Sequence, residues 1–393
     1  MRSISPLVPS PSPGDGTGGS FGILSSFPPT ACGIATFSAA LAAGLIANGD
    51  TVDVVRCGDE PELEDALVLA SLGSDATELS AAVEVLNRTD VAVIQHEYGI
   101  YDGLDGDAVL DVMAGVVVPS IVVAHTVVQS PTASQRDVLE RVCDAADAVV
   151  VMTESAHARL LDGFDVDPSK IFVIPHGAAT PIDDPLLGAD GPTRRAPRLL
   201  TWGLIGPGKG IEWAIDALAA LDDLRPRPTY LVAGATHPKV LAHAGETYRH
   251  MLVDRARRAG VADLVTFDDV YRDLAGLTDV IRSADLVVLP YDSEDQVTSG
   301  VLVDAVAAGR PVVSTAFPHA VELLRSGAGL VVPQRDPGAL ADAIRSVLTD
   351  PALAASMAAE ARRLAPDLSW SAIASQYGDL AGRLLGARSP VHS

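Results

Sequence analysis

The chain of 393 residues carries 51 acidic and 28 basic side chains, a formal net charge of −23, with 48% hydrophobic and 20% charged residues. That length and apolar content suit two domains of ordinary size. The acidic balance excludes broad electrostatic attraction to nucleic acid or anionic lipid headgroups, so an anionic ligand must be met locally, by a few cations and by helix N-termini.

Residues 1–20, "MRSISPLVPSPSPGDGTGGS", are rich in Ser, Pro and Gly, lack a signal-peptide apolar core, and read as a disordered tail. No apolar run reaches the length of about 18 residues that a membrane helix needs, so no integral membrane segment is expected. Cys32, Cys57 and Cys143 form an odd set without metal-type spacing, as free thiols of a reducing compartment would; the cytoplasm is the expected location. From residue 21, apolar runs of strand length recur at 21–25, 52–55, 91–94, 120–124, 147–151 and 171–174, with helical periodicity between most of them. This alternation predicts a doubly wound parallel sheet over 21–180. The Pro- and Gly-rich stretch 181–197 has no period and reads as a linker. Strand-like runs then restart near 198–202, 229–233, 264–267, 285–289, 311–313 and 328–332, with helices over 209–220, 246–259, 300–308 and 336–348. The fold expectation is α/β: two Rossmann-like doubly wound domains facing a cleft, the second over 198–365, with a helix-forming close over 366–393. Ligands of such sheets sit at the carboxyl ends of the strands, so the two sets of loops line the cleft.

The stretch "TWGLIGPGKGIEW" nearly spells a phosphate-binding P-loop: Gly203, four residues, Gly208, Lys209. Gly210 stands where the Mg²⁺-holding hydroxyl belongs. The glycines by themselves equally suit a plain βα turn. Lys209 is one of three lysines in the chain, and a cation at a helix start is locally unfavourable, which points to an anionic ligand. In "SEDQVTSGVLVDAVAAG" a helix is expected to begin at Ser299 or Gly300, where free N–H groups with Thr298 and Ser299 make an anion site. Taken singly, Ser299 is equally an ordinary N-cap and Asp304 a solvated helix position. His125 follows a buried strand at its carboxyl end, and His96, Glu97 and Tyr98 follow another. Aromatic and carboxylate groups at a cleft suit a sugar. His176 and Glu322 are further cleft candidates. No Gly-x-Ser-x-Gly elbow and no His-Glu-x-x-His motif occurs.

Four stretches resemble the GT-B glycosyltransferases of family 4, retaining enzymes that use nucleotide-sugar donors: "GLIGPGKGIEWAIDAL", "VLPYDSEDQVTSGVLVDAVAAGRPVVST", "GAGLVVPQRDPGALADAI" and "VIPHG". The resemblance implies a GT-B fold whose last helix, over 366–393, returns to the N-terminal domain. It implies transfer of a hexose, mannose from GDP-mannose or glucose from UDP-glucose, to a hydroxyl acceptor that it does not name. It implies no metal, no cofactor beyond the nucleotide-sugar and no nucleic-acid partner. In this likeness Lys209 binds the donor diphosphate, with Gly203 and the backbone of Thr298, Ser299, Gly300 and Val301. Gly33 and Ile34 offer N–H groups from the first βα loop, and His125 lies beside the donor sugar. His125, Lys209 and Gln296 carry the chemistry, Asp304 holds the ribose, and His96, Glu97 and Tyr98 face the acceptor. The chain departs from the family at three points. Leu204 replaces an arginine that pairs with the lysine; Lys239 and Arg249 are its candidate substitutes. Gln296 and Asp304 replace two glutamates, with Glu294 and Asp295 close by. These departures leave room for another GT-B enzyme, an epimerase or a phosphorylase, or for a catalytically weakened sugar-nucleotide-binding protein.

Overall fold

A computed structural model describes residues 18–30, 32–58, 65–73, 75–178, 195–270, 272, 274–293 and 296–388. Most of the expected tail and linker, and Glu294 with Asp295, lie outside the described residues. The first domain runs β1 (Ser20–Ser25), α1 (Gly33–Ala47), β2 (Thr51–Cys57), β3 (Val68–Leu72), α2 (Ala76–Asn87), β4 (Val91–His96), α3 (Val109–Gly115), β5 (Ser120–Ala124), α4 (Ala133–Ala145), β6 (Ala148–Val151), α5 (Glu154–Gly163) and β7 (Ile171–Val173). The second runs β8 (Arg198–Trp202), α6 (Ile211–Ala219), β9 (Thr229–Ala233), α7 (Pro238–Ala244), α8 (Thr247–Arg258), β10 (Val265–Asp268), α9 (Leu274–Ser283), β11 (Leu286–Leu289), α10 (Gly300–Ala307), β12 (Val312–Thr315), α11 (Pro318–Leu323), β13 (Gly329–Val332) and α12 (Pro337–Thr349). Helices α13 (Pro351–Leu364) and α14 (Trp370–Arg388) close the chain.

Helices cover both faces of each sheet, so the central strands are buried on both sides and only the edges meet solvent. All six residues of β4 are buried, as are all five of β5. The sheets have the orders β3-β2-β1-β4-β5-β6-β7 and β10-β9-β8-β11-β12-β13, with every pairing parallel. Each order reverses once, between β1 and β4 and between β8 and β11. A crevice opens at such a reversal because neighbouring connections leave on opposite faces.

Two corrections to the expected elements have local causes. β3 is absent from the expected strands although Val68, Leu69 and Leu72 are apolar; it is an edge strand with no buried residue, and Leu69 is exposed. β11 starts one residue later than expected because Asp285 is held by Arg195 at 2.9 Å and by the Arg198 amide at 2.7 Å.

The chain crosses between domains twice, side by side: the Ala178 amide donates to the Leu368 carbonyl at 2.6 Å. After the second crossing α14 lies on α1, with Ile373, Tyr377 and Leu380 fully buried among Phe37, Leu41 and Leu45. Burial of each such side chain contributes about 1.5–3 kcal/mol, an upper figure. Gly44 permits the contact, since a Cβ there would meet the Trp370 carbonyl oxygen at 2.6 Å.

Candidate functional site

The loop after β8 is shaped by its glycines. Gly203, Gly208 and Gly210 have φ of +112°, +89° and +61°, a region that favours glycine. At Gly210 a Cβ would also overlap the carbonyl oxygen of Pro290. No serine or threonine fits there, which explains physically why the P-loop hydroxyl is absent. The loop is pinned to the segment after β11, where the Asp292 amide donates to the Gly208 carbonyl at 3.1 Å. Lys209 sits on this support with Nζ 4.3 Å from the centroid of the buried Tyr291 ring, itself stacked on Phe317. The ammonium makes no ion pair among the described residues.

Opposite the glycine loop stands the N-terminus of α10; a Cβ on Gly203 would touch Val301 Cγ2 at 3.4 Å. Ser299 caps this helix, its Oγ accepting from the Leu302 amide at 3.3 Å and its carbonyl from the Val303 amide at 3.2 Å. The amides of Gly300 and Val301 keep no partner among the described residues. A half-buried lysine and two amides without partners among the described residues thus stand on neighbouring loops, and both features favour negative charge. Gln296 turns its amide onto the Thr298 carbonyl, and Asp304 is buried on α10 at 8% exposure. Of the candidate substitutes for the missing arginine, Lys239 donates to the Gly99 carbonyl of the facing domain at 3.4 Å. Arg249 donates to the Gly234 carbonyl at 2.6 Å and pairs with Glu246 at 3.3 Å.

In the first domain, α1 begins at Gly33 with no side-chain cap, and a Cβ on Gly33 would meet nothing within 4 Å. Gly33 and Ile34 therefore face open space at the first βα loop. The His125 amide extends the β4–β5 ladder by donating to the His96 carbonyl at 3.0 Å, and the His125 ring is held by Gln95 Oε1, 2.6 Å from Nε2. His96 is buried at 1% exposure, and the Tyr98 hydroxyl is buried without a partner. Glu97 accepts from the Thr126 hydroxyl and from the Tyr98 amide, the latter at 3.1 Å. Burial pushes its carboxyl above the ordinary range, against the pull of Thr126, Lys239 and the Tyr98 amide. A cavity of about 400 Å³ opens at the ends of β2 and β3, with Ile100, Tyr101, Asp102 and Asp111 in its wall.

The two halves touch. Thr153 Oγ1 donates to the Val297 carbonyl at 3.0 Å. Glu322, on α11, accepts from the amides of Glu154 and Ser155 at 2.9 and 3.1 Å, so it caps α5 from the other domain. His176 lies at the crossing, packed edge-on against Phe37, its ring 2.9 Å from where a Cβ on Gly300 would stand. Only a glycine lets α10 start so close to it.

Sequence reasoning missed His319, whose Nδ1 accepts the Ser299 amide at 2.9 Å and so orients the loop that opens α10. Its one signal is its place just after a strand's carboxyl end. Burial drives His125 and His319 down to about 3 and His96 and His176 to about 4, so all four are neutral near neutral pH.

Residues 31–180 match the family described as Glycosyltransferase Family 4, and residues 196–350 match Glycosyl transferases group 1. A D-inositol 3-phosphate glycosyltransferase from Corynebacterium glutamicum (strain R) is 31% identical over 287 residues, which span 67% of this chain and 66% of that protein, just under two thirds of its length. Among solved structures, sucrose-phosphate synthase from Thermosynechococcus elongatus superposes with a TM-score of 0.74 at 22% identity, over 94% of this chain and 100% of that one. Anabaena HepE, solved in complex with UDP-glucose, superposes with a TM-score of 0.72 at 16% identity, over 92% and 99%. These two likenesses are of fold, and the fold is GT-B. With a family match on each half of that two-domain scaffold, the chain belongs to the group 1 glycosyl transferases of Glycosyltransferase Family 4.

Proposed function

We propose that the protein transfers a hexose from a nucleoside diphosphate sugar to a hydroxyl acceptor with retention of anomeric configuration. The observation that carries this reading is that Lys209 and the Gly300 and Val301 amides, without partners among the described residues, stand on the two loops that flank the strand-order reversal. Breaking the bond between the sugar C1 and the phosphate oxygen leaves its electron pair on the diphosphate. Fixed donors aimed at that growing charge lower the barrier, and they need no reorganisation as it develops. The acceptor hydroxyl forms the new bond to C1 on the face the phosphate leaves. Its proton passes to the departing phosphate oxygen, so retention needs no protein nucleophile in this scheme.

The acceptor belongs on the first domain, where the cavity beside Tyr101 and Asp102 suits a polyhydroxyl molecule. The family resemblance ranks mannose from GDP-mannose first, with glucose from UDP-glucose close behind; HepE, a fold relative, is the one solved with UDP-glucose. The counter-charge for the diphosphate comes from Lys209 and the helix amides, which supports transfer without a metal. The test is donor turnover with GDP-mannose and UDP-glucose, with and without EDTA, and anomeric analysis of the product. Turnover that survives EDTA and yields the retained anomer supports the reading. Nucleotide binding without any turnover supports a weakened binding protein instead, in keeping with Leu204 and with the inward turn of Gln296.

A further inference from the structure

We infer that Gln95 is a positioning residue: it fixes the tautomer of His125 and leaves the Nδ1 lone pair facing the cleft as a hydrogen-bond acceptor for a sugar hydroxyl. Gln95 is the penultimate residue of β4 and is 0% exposed. In the β4–β5 register it pairs with Val123 and His96 with Ala124, so His125 emerges one step past the strand end and the ladder bond to His96 sets its Cα. The ring is then set by two further contacts. The Phe37 ring meets it edge-on, with centroids 4.8 Å apart. Gln95 Oε1 lies 2.6 Å from Nε2. With the Gln95 carbonyl oxygen turned to the ring, an atom that only accepts, we assign the hydrogen to Nε2 and the lone pair to Nδ1. Nδ1 has no partner among the described residues, and it is not among the buried unpartnered atoms.

The state of Gln95 itself argues for this role. Its Nε2 is buried without a partner, which is unfavourable and would be avoided by an apolar side chain of similar size. A strand core gains nothing from that amide except its contact with His125. The Tyr101 hydroxyl, donating to the Gln95 main-chain carbonyl at 2.6 Å, adds rigidity from the cavity side. Burial keeps the imidazole neutral, so the lone pair persists across the working pH range.

An acceptor-only Nδ1 discriminates between sugars. A hydroxyl donates to it, whereas a deoxy position leaves a desolvated lone pair unpaired. Which sugar this is rests on the glycosyl-transfer reading, but the tautomer is a property of the free protein and is measured without substrate.

Long-range ¹H–¹⁵N correlation on protein labelled at histidine reads the tautomer directly. The wild type should show His125 protonated on Nε2. Gln95→Leu should shift it toward Nδ1–H. Gln95→Glu should retain Nε2–H and raise the imidazole pKa by more than about one unit, since a carboxylate beside the ring favours its charged form. In turnover, Gln95→Leu should lose roughly 10- to 100-fold in kcat, the scale on which outer partners of functional histidines act, with donor KM within about threefold. It should also lose preference for a hydroxylated over a deoxy donor, and Gln95→Glu should restore much of the rate with an added ionisation in the pH profile. Nδ1–H in the wild type, or an unchanged tautomer in Gln95→Leu, overturns the assignment. A protein that transfers no sugar yet shows the predicted tautomers refutes the glycosyl-transfer reading and leaves the role of Gln95 standing. Should Gln95→Leu fail to fold, the wild-type tautomer still decides, and an imidazole pKa in Gln95→Glu that does not rise would overturn the contact itself.

Discussion

Replacing Lys209 separates binding from stability. In the free protein its ammonium has one evident attraction, the Tyr291 ring at 4.3 Å. A cation–π contact of that kind contributes about 0.5–1 kcal/mol. Lys209→Met keeps most of the apolar stem, so stability should fall by no more than about 1 kcal/mol in urea unfolding. With nucleotide bound, the same ammonium meets a diphosphate, and a hydrogen bond to a charged group contributes about 1.5–3 kcal/mol. The dissociation constant of UDP or GDP, by isothermal titration calorimetry, should therefore rise roughly 10- to 150-fold. Turnover should fall further than affinity, because charge on the leaving diphosphate grows toward the transition state. A folded Lys209→Met protein with wild-type nucleotide affinity and turnover would falsify the assignment of the phosphate site to this loop.

The other expectations test the frame around that lysine. Gly210→Ala should lower stability by more than about 3 kcal/mol in urea unfolding, because left-handed backbone costs about 1–2 kcal/mol for any side chain and the new Cβ overlaps the Pro290 carbonyl; a loss under 1 kcal/mol would show the turn to be adaptable. Glu322→Ala removes the cap on α5 from the opposite domain, so small-angle scattering should report a larger radius of gyration, and an unchanged one would mean that the other cleft contacts hold the domains together. Four histidines, His96 and His319 buried and His125 and His176 half-buried, set a pH dependence. Their folded values of about 3–4 lie below the unfolded 6.5, so their contribution is complete above pH 6.5 and is lost as pH falls, when the unfolded chain takes up protons that the folded chain refuses. The unfolding free energy from urea titrations should drop steadily from pH 6.5 to 4.5, by up to about 1.4 kcal/mol per pH unit for each histidine, and the midpoint with it. A flat midpoint over that range would mean that the rings are solvated.

What the sequence disclosed follows from the range of the forces involved. β8 and β9 fall at 198–202 and 229–233, as read from the apolar runs, because a strand covered on both faces leaves a continuous hydrophobic signal. β3 carries an apolar run too, but its place as an edge strand is set by pairing with β2, which the run does not record. The candidate positions were legible as strand ends and helix starts: Lys209, Ser299 and His125 all stand where a doubly wound sheet places ligands. Their partners were not. Gln95 reads as core until β5 brings His125 beside it, and His319 is 20 residues from the amide it accepts. Glu322 caps a helix 168 residues away. Such pairings are fixed by sheet order and domain contact, which leave no periodicity in the chain. The cleft also has to concentrate its positive potential, since the net charge of −23 works against an anionic donor everywhere else. In the proposed site, with Leu204 in place of an arginine, Lys209 and the α10 amides would carry that potential, each held in place by residues distant in sequence. A change at Pro290, Tyr291 or His319 is then expected to weaken nucleotide binding without touching the ligand.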